Sequence, residues 1–442
     1  MTPNFEWQKE CLTEWNRKGN RGIVQAVTGS GKTRLAISAI QCLKQQNPNE
    51  SLYVKIVVPS SPLLYQWKRA LEEIFPETME QRQIGLISGS CPQTSSRPYM
   101  IYIINSARYR LAKEILSHLK KGETVLLIAD ECHHYTSKEN RKIFDFLPFV
   151  PKNLGIYCSL GLSATLKPCE LDFLTPMLGE TIYSYGFSQA IRKGTICDFS
   201  VRQIALEFTK EERNTYDSLS YTINRHYRKL LQLNPELYHL TQGQLFHELQ
   251  VLASNKKNQS GILASKYLQT VNLRRRHLMM ASARIKCTID LLRNISPISR
   301  IIIFGESIEQ INHLYHLVKK EYPGQSGCYH SKMGKQANKN TLNRFRTKEL
   351  RILLACRSLD EGFDIPDIDT GIILSGTSVE RQRLQRLGRI LRLSEKKQLA
   401  TLYYLFIQET KEEPSYVSSI ADEFLIEDIL YDTKSSIFTY NK

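Results

Sequence analysis

Two stretches of the chain contain short apolar runs, rich in β-branched residues, that alternate with amphipathic helical patterns. The first extends from Gly22 to about Gly186, and the second begins at Arg300 and continues past Leu399. Apolar runs of this length between helical segments are typical of parallel strands whose faces are covered by helices. The pattern therefore predicts two α/β domains in tandem, each built on a parallel sheet. The predicted strands are GIVQAVT, VKIVVPS, MIYIIN, TVLLIAD and LGIYCSLGLSA, then RIIIFG, SGCYHS, RILLAC, DTGIILSG and LATLYYLFIQ.

Between these stretches, from about Lys210 to Arg293, the pattern is helical and basic and contains no strand-like run. We predict a helical insertion here, called the arm below, and divide the chain into residues 1–205, 206–296 and 297–442. After Thr410 the tail is acidic and mixed. Because chain termini usually pack as simple elements or remain loose, we expect a terminal helix on the second domain rather than a docking segment.

Composition narrows the class of protein. The 442 residues include 60 Lys and Arg against 44 Asp and Glu, a net charge of +16, which favours a polyanionic partner: nucleic acid first, an acidic membrane face second. No apolar run is long enough to cross a bilayer and no secretory signal is readable, so we expect a cytoplasmic protein. The 10 cysteines are scattered singly, which predicts reduced, structural thiols.

A glycine-rich loop follows the strand GIVQAVT and precedes the helical pattern RLAISAIQCL. Glycines let successive N–H groups turn toward a phosphate, a following lysine such as Lys32 reaches the outer phosphates, and the hydroxyl of Thr33 suits Mg²⁺. The general pattern begins with glycine, whereas Ala26 stands here. The candidate phosphate-binding residues are Thr28, Gly29, Ser30, Gly31, Lys32 and Thr33.

An acidic pair, Asp130 and Glu131, follows the apolar strand TVLLIA. A carboxylate at the tip of a buried strand near a phosphate loop can hold Mg²⁺ through water, and its neighbour can polarise the attacking water. We therefore expect Asp130 to serve the metal, with Thr33, and Glu131 to serve the water. In isolation such a pair is more often a turn or a helix cap.

Several segments together resemble one family. AVTGSGKT, DECH and Ser163-Ala164-Thr165 resemble motifs I, II and III of superfamily 2 helicases and translocases of the DEAD/DEAH type. ACRSLDEGFDIP is similar to motif V, and the segment from Gln385 to Arg392 to motif VI. The resemblance implies two RecA-like domains with parallel sheets in tandem, ATP and Mg²⁺ in the cleft between them, and nucleic acid as partner.

The resemblance also implies roles for individual residues. Arg389 and Arg392 would reach from the second domain to the transferring phosphoryl group, and such a finger is worth about 10³ to 10⁵ in rate. In isolation, RQRLQRLGRILR would be interpreted as a basic amphipathic helix on solvent or nucleic acid. Gln8 resembles the adenine-reading glutamine of related helicases, and Asp364 the aspartate near the ribose. The residues implied to couple ATP to nucleic acid are His133, Ser163, Thr165 and Gln385.

A nucleic-acid track follows from the same resemblance. VVPSSPLLYQW resembles motif Ia, IIFGES resembles motif IV, and CYHSKMGK resembles the segment after it. Hydroxyls and cations at strand ends grip phosphates without reading bases. The candidates are Ser60, Ser61, Ser307, Ser331 and Lys332, with Arg274, Arg275 and Arg276 from the arm. The arm also carries Arg225, Arg228, Lys229, Arg284 and Lys286, and its alternative interpretation is a solvated helix face.

Within the superfamily, DECH, QRLGRILR and the stretch GFSQAIRKGTICDF look closest to XPB-like repair helicases, UvsW-type remodellers and restriction-enzyme motor subunits. The resemblance implies an ATP-dependent DNA helicase or duplex translocase, without sequence specificity, that works with partner proteins in repair, restriction or phage defence. Two alternatives remain open. One is an RNA helicase, and the other is an ATP-controlled clamp or assembly subunit that binds nucleic acid without unwinding it.

Overall fold

The computed structural model describes residues 5–46, 48, 51–80, 83–89, 97–145, 147, 154–255, 257–356, 368–375, 399–410 and 425–440. These residues form two compact units. The first contains residues 5–199, and the second contains residues 200–356 with the later segments 370–375 and 401–440.

The first unit is built on a seven-stranded sheet in which every described pairing is parallel. Its strands are β1 (Arg21–Ala26), β2 (Leu52–Val58), β3 (Ile84–Ile87), β4 (Tyr99–Ile103), β5 (Thr124–Asp130), β6 (Tyr157–Ser163) and β7 (Thr181–Tyr185). Their order across the sheet is β3-β4-β2-β5-β6-β1-β7. All seven residues of β5 are buried, because a central parallel strand is covered by helices on both faces.

Helices cover this sheet. They are α1 (Glu6–Arg17), α2 (Lys32–Gln46), α3 (Ser61–Ile74), α4 (Glu77–Glu80), α5 (Ile104–Ala107), α6 (Leu111–Lys120), α7 (Pro168–Leu178) and α8 (Phe187–Arg192), with 3₁₀ segments at Cys132–Thr136 and Asn140–Phe144. Proline in the first turn of α3 pre-sets the helical backbone. Leu64, Trp67 and Leu71, at helical spacing, are buried and fix the helix on the sheet.

The second unit contains an eight-stranded sheet. Its strands are β8 (Asp198–Leu206), β9 (Ile301–Gly305), β10 (Ser326–Tyr329), β11 (Ile352–Cys356), β12 (Thr370–Ile373), β13 (Leu399–Ile407), β14 (Leu425–Asp432) and β15 (Ile437–Tyr440). Their order is β10-β11-β9-β12-β13-β8-β14-β15. From β10 through β13 the pairings are parallel, and β14 pairs parallel with β8 and antiparallel with β15.

The helices of the second unit include the arm. They are α9 (Lys210–Leu233), α10 (Gln242–Ser254), α11 (Gln259–Met279), α12 (Ser282–Asn294), α13 (Ile308–Glu321) and α14 (Lys335–Arg346). Thr209 and Glu212 form a reciprocal capping box that starts α9. The Asn258 side chain accepts the Gly261 N–H at 2.7 Å and starts α11. Helices α9, α10 and α11 share a small hydrophobic core of their own around Leu230 and Leu249.

The structure confirms the tandem α/β architecture and all ten predicted strands. It adds β3, β7 and β8, which are short or only partly apolar. The expectation of a terminal helix is wrong for residues 425–440, which form β14 and β15. The reason is a period-two alternation in which Ile429 and Tyr431 are buried while Asp428 and Asp432 are exposed. The division at residues 205 and 296 stays a prediction.

Nothing in the part of the chain that the structure describes is both helical and apolar over a length sufficient to cross a bilayer.

Candidate functional site

The glycine-rich loop joins β1 to the N-terminus of α2. Gly29 and Gly31 have φ values of 88° and 92°, in the left-handed region that glycine adopts without a steric penalty. The Lys32 ammonium donates to the Ala26 carbonyl at 2.9 Å, and the buried Ser30 hydroxyl donates to the Val27 carbonyl at 2.7 Å. The loop therefore wraps back on the end of β1 and leaves the first N–H groups of α2 available to an anion.

Gln8 of α1 lies against this loop. Its Nε2 donates to the Gly31 carbonyl at 3.1 Å, while its Oε1 is buried and meets no hydrogen-bond donor in the part of the chain that the structure describes. Gly31 has a φ of 92°, which other residues rarely adopt, and a Cβ there would lie 2.8 Å from Gln8 Nε2, so a substitution would strain the backbone and displace the end of the Gln8 side chain. The adjacent Trp7 is buried and stacks on Tyr185 with ring centroids 4.7 Å apart. Gln8 thus offers one buried acceptor beside the phosphate loop.

Asp130 is the last residue of β5, and both of its carboxylate oxygens accept hydrogen bonds. Oδ2 accepts the Trp67 indole N–H at 2.8 Å, and Oδ1 accepts the Glu131 N–H at 3.0 Å. Burial, and then the charge of Glu131, raise the pKa of Asp130 to about 6, while the nearby Lys32 ammonium opposes the rise. Burial and the neighbouring negative charge therefore destabilise the ionised carboxylate, and a bound cation would stabilise it.

Glu131 has a left-handed backbone, with φ 49° and ψ 52°. A non-glycine residue in this region is held there by its surroundings, and such residues cluster at functional sites. Its Oε2 is buried, has no hydrogen-bond partner among the described residues, and lies 3.5 Å from His133 Nδ1. A buried carboxylate oxygen without a donor is costly, so a ligand or water that donates to it would be stabilised here.

The structure brings together three of the residues implied to couple ATP to nucleic acid. The Ser163 hydroxyl donates to the Thr165 carbonyl at 2.9 Å and lies 3.0 Å from His133 Nδ1. The pairing follows from the sheet, because β5 and β6 are adjacent and Asp130 is in register with Leu162. Side-chain contacts of His133 and Ser163 thus connect the segment that follows the acidic pair to the segment after β6.

The nucleic-acid candidates of the first unit lie at the carboxyl edge of its sheet. Ser60 precedes α3 and its hydroxyl is buried without a partner, and Ser61 is exposed. Strand β4 pairs with β2 with Val58 opposite Ile103, so Asn105 and Ser106 end at the same edge. The sequence analysis did not predict Asn105 and Ser106 as candidates. A signal was present, because β4 was predicted and the carboxyl ends of parallel strands lie at one edge of the sheet.

Trp67 was also missed. It lies 63 residues before Asp130, and no local spacing connects the two.

The candidates of the second unit have more varied surroundings. Ser307 caps α13, since its hydroxyl accepts the Gln310 N–H at 3.1 Å. Ser331 and Lys332 are exposed in a short 3₁₀ segment after β10. The first of these therefore has a structural role as well, whereas the other two present free polar groups at the surface.

The three consecutive arginines of α11 contact their own unit. Arg274 Nη1 donates to the Ser220 hydroxyl at 3.1 Å. Arg275 pairs with Glu306 at 3.4 Å, and Arg276 with Glu309 at 2.8 Å. The charges of Arg275 and Arg276 are therefore partly neutralised within the second unit, and the role of all three arginines in binding nucleic acid stays a prediction.

Arg284 does not belong to an exposed basic face, and that expectation is wrong. The side chain is fully buried and Nη1 donates to the carbonyls of Leu374 at 2.7 Å and Leu405 at 3.0 Å. Carbonyl groups of the second sheet thus bind this guanidinium. A helical pattern alone would predict a surface charge at this position.

Four other cations of the arm form an exposed group, called the arm surface below: Arg225, Arg228, Lys229 and Lys266. Among the residues that the structure describes, no carboxylate pairs with any of the four. Burial, then the charges of Arg225, Lys266 and Lys229, lower the pKa of His226. Helices α9 and α11 therefore share one positively charged surface.

Four predicted site residues lie outside the described residues: Asp364, Gln385, Arg389 and Arg392.

Two family models match the chain. One, described as the res subunit of type III restriction enzymes, matches residues 3–168, and the other, the helicase conserved C-terminal domain, matches residues 283–394. With the two RecA-like units and the phosphate loop, these matches define the class: the chain belongs to the superfamily 2 helicases, which are ATPases. Within that class it is related to the XPB translocases and the restriction-enzyme motors.

Individual relatives agree with this assignment. The DNA 3′–5′ translocase XPB2 of Sulfurisphaera tokodaii is 28% identical over 396 residues, which cover 89% of this chain and 80% of that protein. The XPB subunit of general transcription and DNA repair factor IIH from Encephalitozoon cuniculi is 22% identical over 95% of this chain, which spans only 54% of that subunit. The helicase domain of Pyrococcus furiosus Hef, 14% identical, has the same fold with a TM-score of 0.62, covering 94% of this chain and 98% of that domain.

Proposed function

We propose that the chain is an ATP-dependent DNA helicase or duplex translocase that acts without sequence specificity. The observation that supports this best is the buried Asp130 carboxylate at the end of β5, close enough to Lys32 of the glycine-rich loop for the ammonium to lower its pKa. A lysine on a phosphate-binding loop beside a buried strand-end carboxylate is the arrangement that phosphoryl transfer from a nucleoside triphosphate requires.

The donor set fits ATP with Mg²⁺. Thr33 and Asp130 supply the hard oxygen ligands that Mg²⁺ prefers, and the bound cation would neutralise charge on the phosphates. Lys32 and the N–H groups of Thr28, Gly29, Ser30, Gly31 and Thr33 would hold the phosphates. The free Oε1 of Gln8 can accept a hydrogen bond from the amino group of adenine. Glu131 would orient the attacking water through its unpartnered Oε2.

The remaining roles rest on the motif resemblance. Arg389 and Arg392 would neutralise charge on the transferring phosphoryl group, and Asp364 would contact the ribose. Gln385 would join His133, Ser163 and Thr165 in coupling ATP to nucleic acid.

On the nucleic-acid side we propose two surfaces. One is the edge of the first unit formed by Ser60, Ser61, Asn105 and Ser106. Ser307, Ser331 and Lys332 of the second unit are candidates on their own unit. The other is the arm surface, whose cations, unlike Arg275 and Arg276, pair with no carboxylate among the described residues. DNA is favoured over RNA because the relative with the highest identity reported above is a DNA translocase.

Protein partners and a cytoplasmic location belong to the same proposal. The relative from Encephalitozoon cuniculi is a subunit of a larger factor. All nine cysteines among the described residues are free thiols, as a reducing compartment would keep them.

The test is the rate of ATP hydrolysis with single-stranded, duplex and forked DNA and with the matching RNAs. DNA is expected to raise turnover and RNA is not. A strand-displacement assay on a duplex with a 3′ overhang then separates a motor from the alternatives. Slow hydrolysis, no displacement and ATP-dependent retention on DNA would support a clamp, and stimulation by RNA alone would support an RNA helicase.

The arm surface gives a prediction of its own. Replacing Arg225 and Lys229 by alanine is expected to weaken DNA binding for every sequence alike. If each contacts one phosphate, the slope of log K against log salt should become shallower by about 1.4 to 1.8, at roughly 0.7 to 0.9 per phosphate. Binding is measured by fluorescence anisotropy over a salt series. Arg344→Ala, which removes an exposed arginine paired with Glu349, is the control, and an equal slope in the double variant would exclude the arm surface.

A further inference from the structure

Trp67 is an unusual partner for Asp130. The indole is fully buried on α3, and its N–H donates to Asp130 Oδ2 at 2.8 Å. An indole has a single donor in a fixed direction and no acceptor, so its ring orientation determines where the bond points. Because Trp67 is packed in the core, it can hold the carboxylate oxygen in one place.

The second oxygen of the same carboxylate is also held. Asp130 Oδ1 accepts the N–H of Glu131, whose left-handed backbone is fixed by the turn after β5. The Tyr135 hydroxyl anchors that turn by donating to the Val57 carbonyl at 2.7 Å. Among the described residues, only Trp67 connects the carboxylate to a different helix, and that helix begins at Ser60 and Ser61, which we propose to contact nucleic acid.

We propose that Trp67 is a positioning residue that fixes the Asp130 carboxylate in the orientation that binds Mg²⁺, so that the placement of α3 sets the geometry of the metal site. This inference depends on the proposed role of Asp130. Hydrogen-bond partners behind a metal ligand orient it, and their removal typically costs about 10 to 100-fold in metal affinity or activity.

A second buried tryptophan provides a control for a purely structural role of Trp67. Trp15 of α1 is also fully buried in the first unit, and its indole N–H donates at 2.9 Å, but to the backbone carbonyl of Ser159. Trp15→Phe and Trp67→Phe therefore remove the same N–H from the same kind of surroundings. Only the second removes a bond to the proposed metal ligand.

The experiment measures the affinity for ADP in EDTA and in Mg²⁺, without nucleic acid, by calorimetry. In the unchanged protein Mg²⁺ is expected to tighten ADP binding. In Trp67→Phe the tightening should fall by about 10 to 100-fold, while the affinity in EDTA stays the same. In Trp15→Phe both should be unchanged. A Trp67→Phe protein with the full tightening would overturn the inference.

The same measurement separates the inference from the function on which it rests. If Mg²⁺ did not affect ADP binding to the unchanged protein, the proposed metal site would fail and the inference with it. A second readout does not require the variant to fold. The chain has 3 tryptophans, so labelling with 5-fluorotryptophan gives a fluorine resonance for each, assigned with Trp15→Phe and Trp7→Phe. Adding Mg²⁺ to the ADP complex should shift the Trp67 resonance, and a shift confined to the others would overturn the inference.

Discussion

Replacement of Glu131 by glutamine is expected to lower kcat for ATP about 10² to 10⁴-fold and to leave the affinity for ADP unchanged. Glutamine has the same length and tolerates the same backbone, but it replaces one carboxylate oxygen by an amide group and removes the negative charge. The buried Oε2, which accepts no hydrogen bond from the described residues, is the atom that could accept a proton from water. The measurement is steady-state hydrolysis with saturating DNA, alongside ADP binding by calorimetry.

Glu139→Gln is the matched control. Glu139 lies on the segment after the acidic pair, but it is exposed and pairs with Lys142 at 2.7 Å. Its replacement should leave both hydrolysis and binding unchanged. A Glu131→Gln protein that hydrolysed ATP at the normal rate would show that another group activates the water, and the assignment of the acidic pair would have to be abandoned.

The parts of the site that could be predicted from the sequence are those made by neighbours in the chain. Lys32 follows its glycines directly, and Asp130 and Glu131 follow a strand that its apolar run makes obvious. In a parallel sheet the carboxyl ends of neighbouring strands lie at one edge. The sequence alone therefore predicts that Lys32, the acidic pair and Ser163 lie at the same edge. The family resemblance implied that His133 and Ser163 act together in coupling, and the structure places His133 Nδ1 3.0 Å from the Ser163 hydroxyl.

The parts that could not be predicted depend on contacts between distant segments. A helical pattern containing a tryptophan predicts a core residue, and nothing in it indicates that the indole of Trp67 meets Asp130. The burial of Arg284 could not be predicted either. A charged residue within a helix is normally at the surface, and Arg284 is buried because α12 packs on the strand ends.

Lys55 is a third case. It sits within the apolar run of β2, fully buried, with its Nζ 3.6 Å from Glu114 Oε2. Burial lowers the pKa of the lysine, and the Glu114 charge opposes this. Alternation along a strand cannot tell such a paired lysine from an exposed one, because the partner comes from α6.

Replacement of Arg389 by alanine is expected to have the largest effect on hydrolysis, a loss of about 10³ to 10⁵-fold in kcat with ADP binding retained. The residue lies outside the described part of the chain, between β12 and β13 in sequence, so this expectation rests on the resemblance of QRLGRILR to motif VI. A guanidinium that arrives at the transferring phosphoryl group stabilises charge that builds only in the transition state, so ground-state binding should be spared.

Arg389→Lys separates this role from a general need for positive charge. Lysine keeps the charge but loses the planar fork that donates two parallel hydrogen bonds, so most of the loss should remain. Single-turnover hydrolysis with DNA present measures the chemical step, and Arg344→Ala again serves as the control. If Arg389→Ala hydrolysed ATP normally, or if Arg389→Lys restored the full rate, the residue would act as a surface cation. The role that the motif VI resemblance implies for this residue would then have to be abandoned.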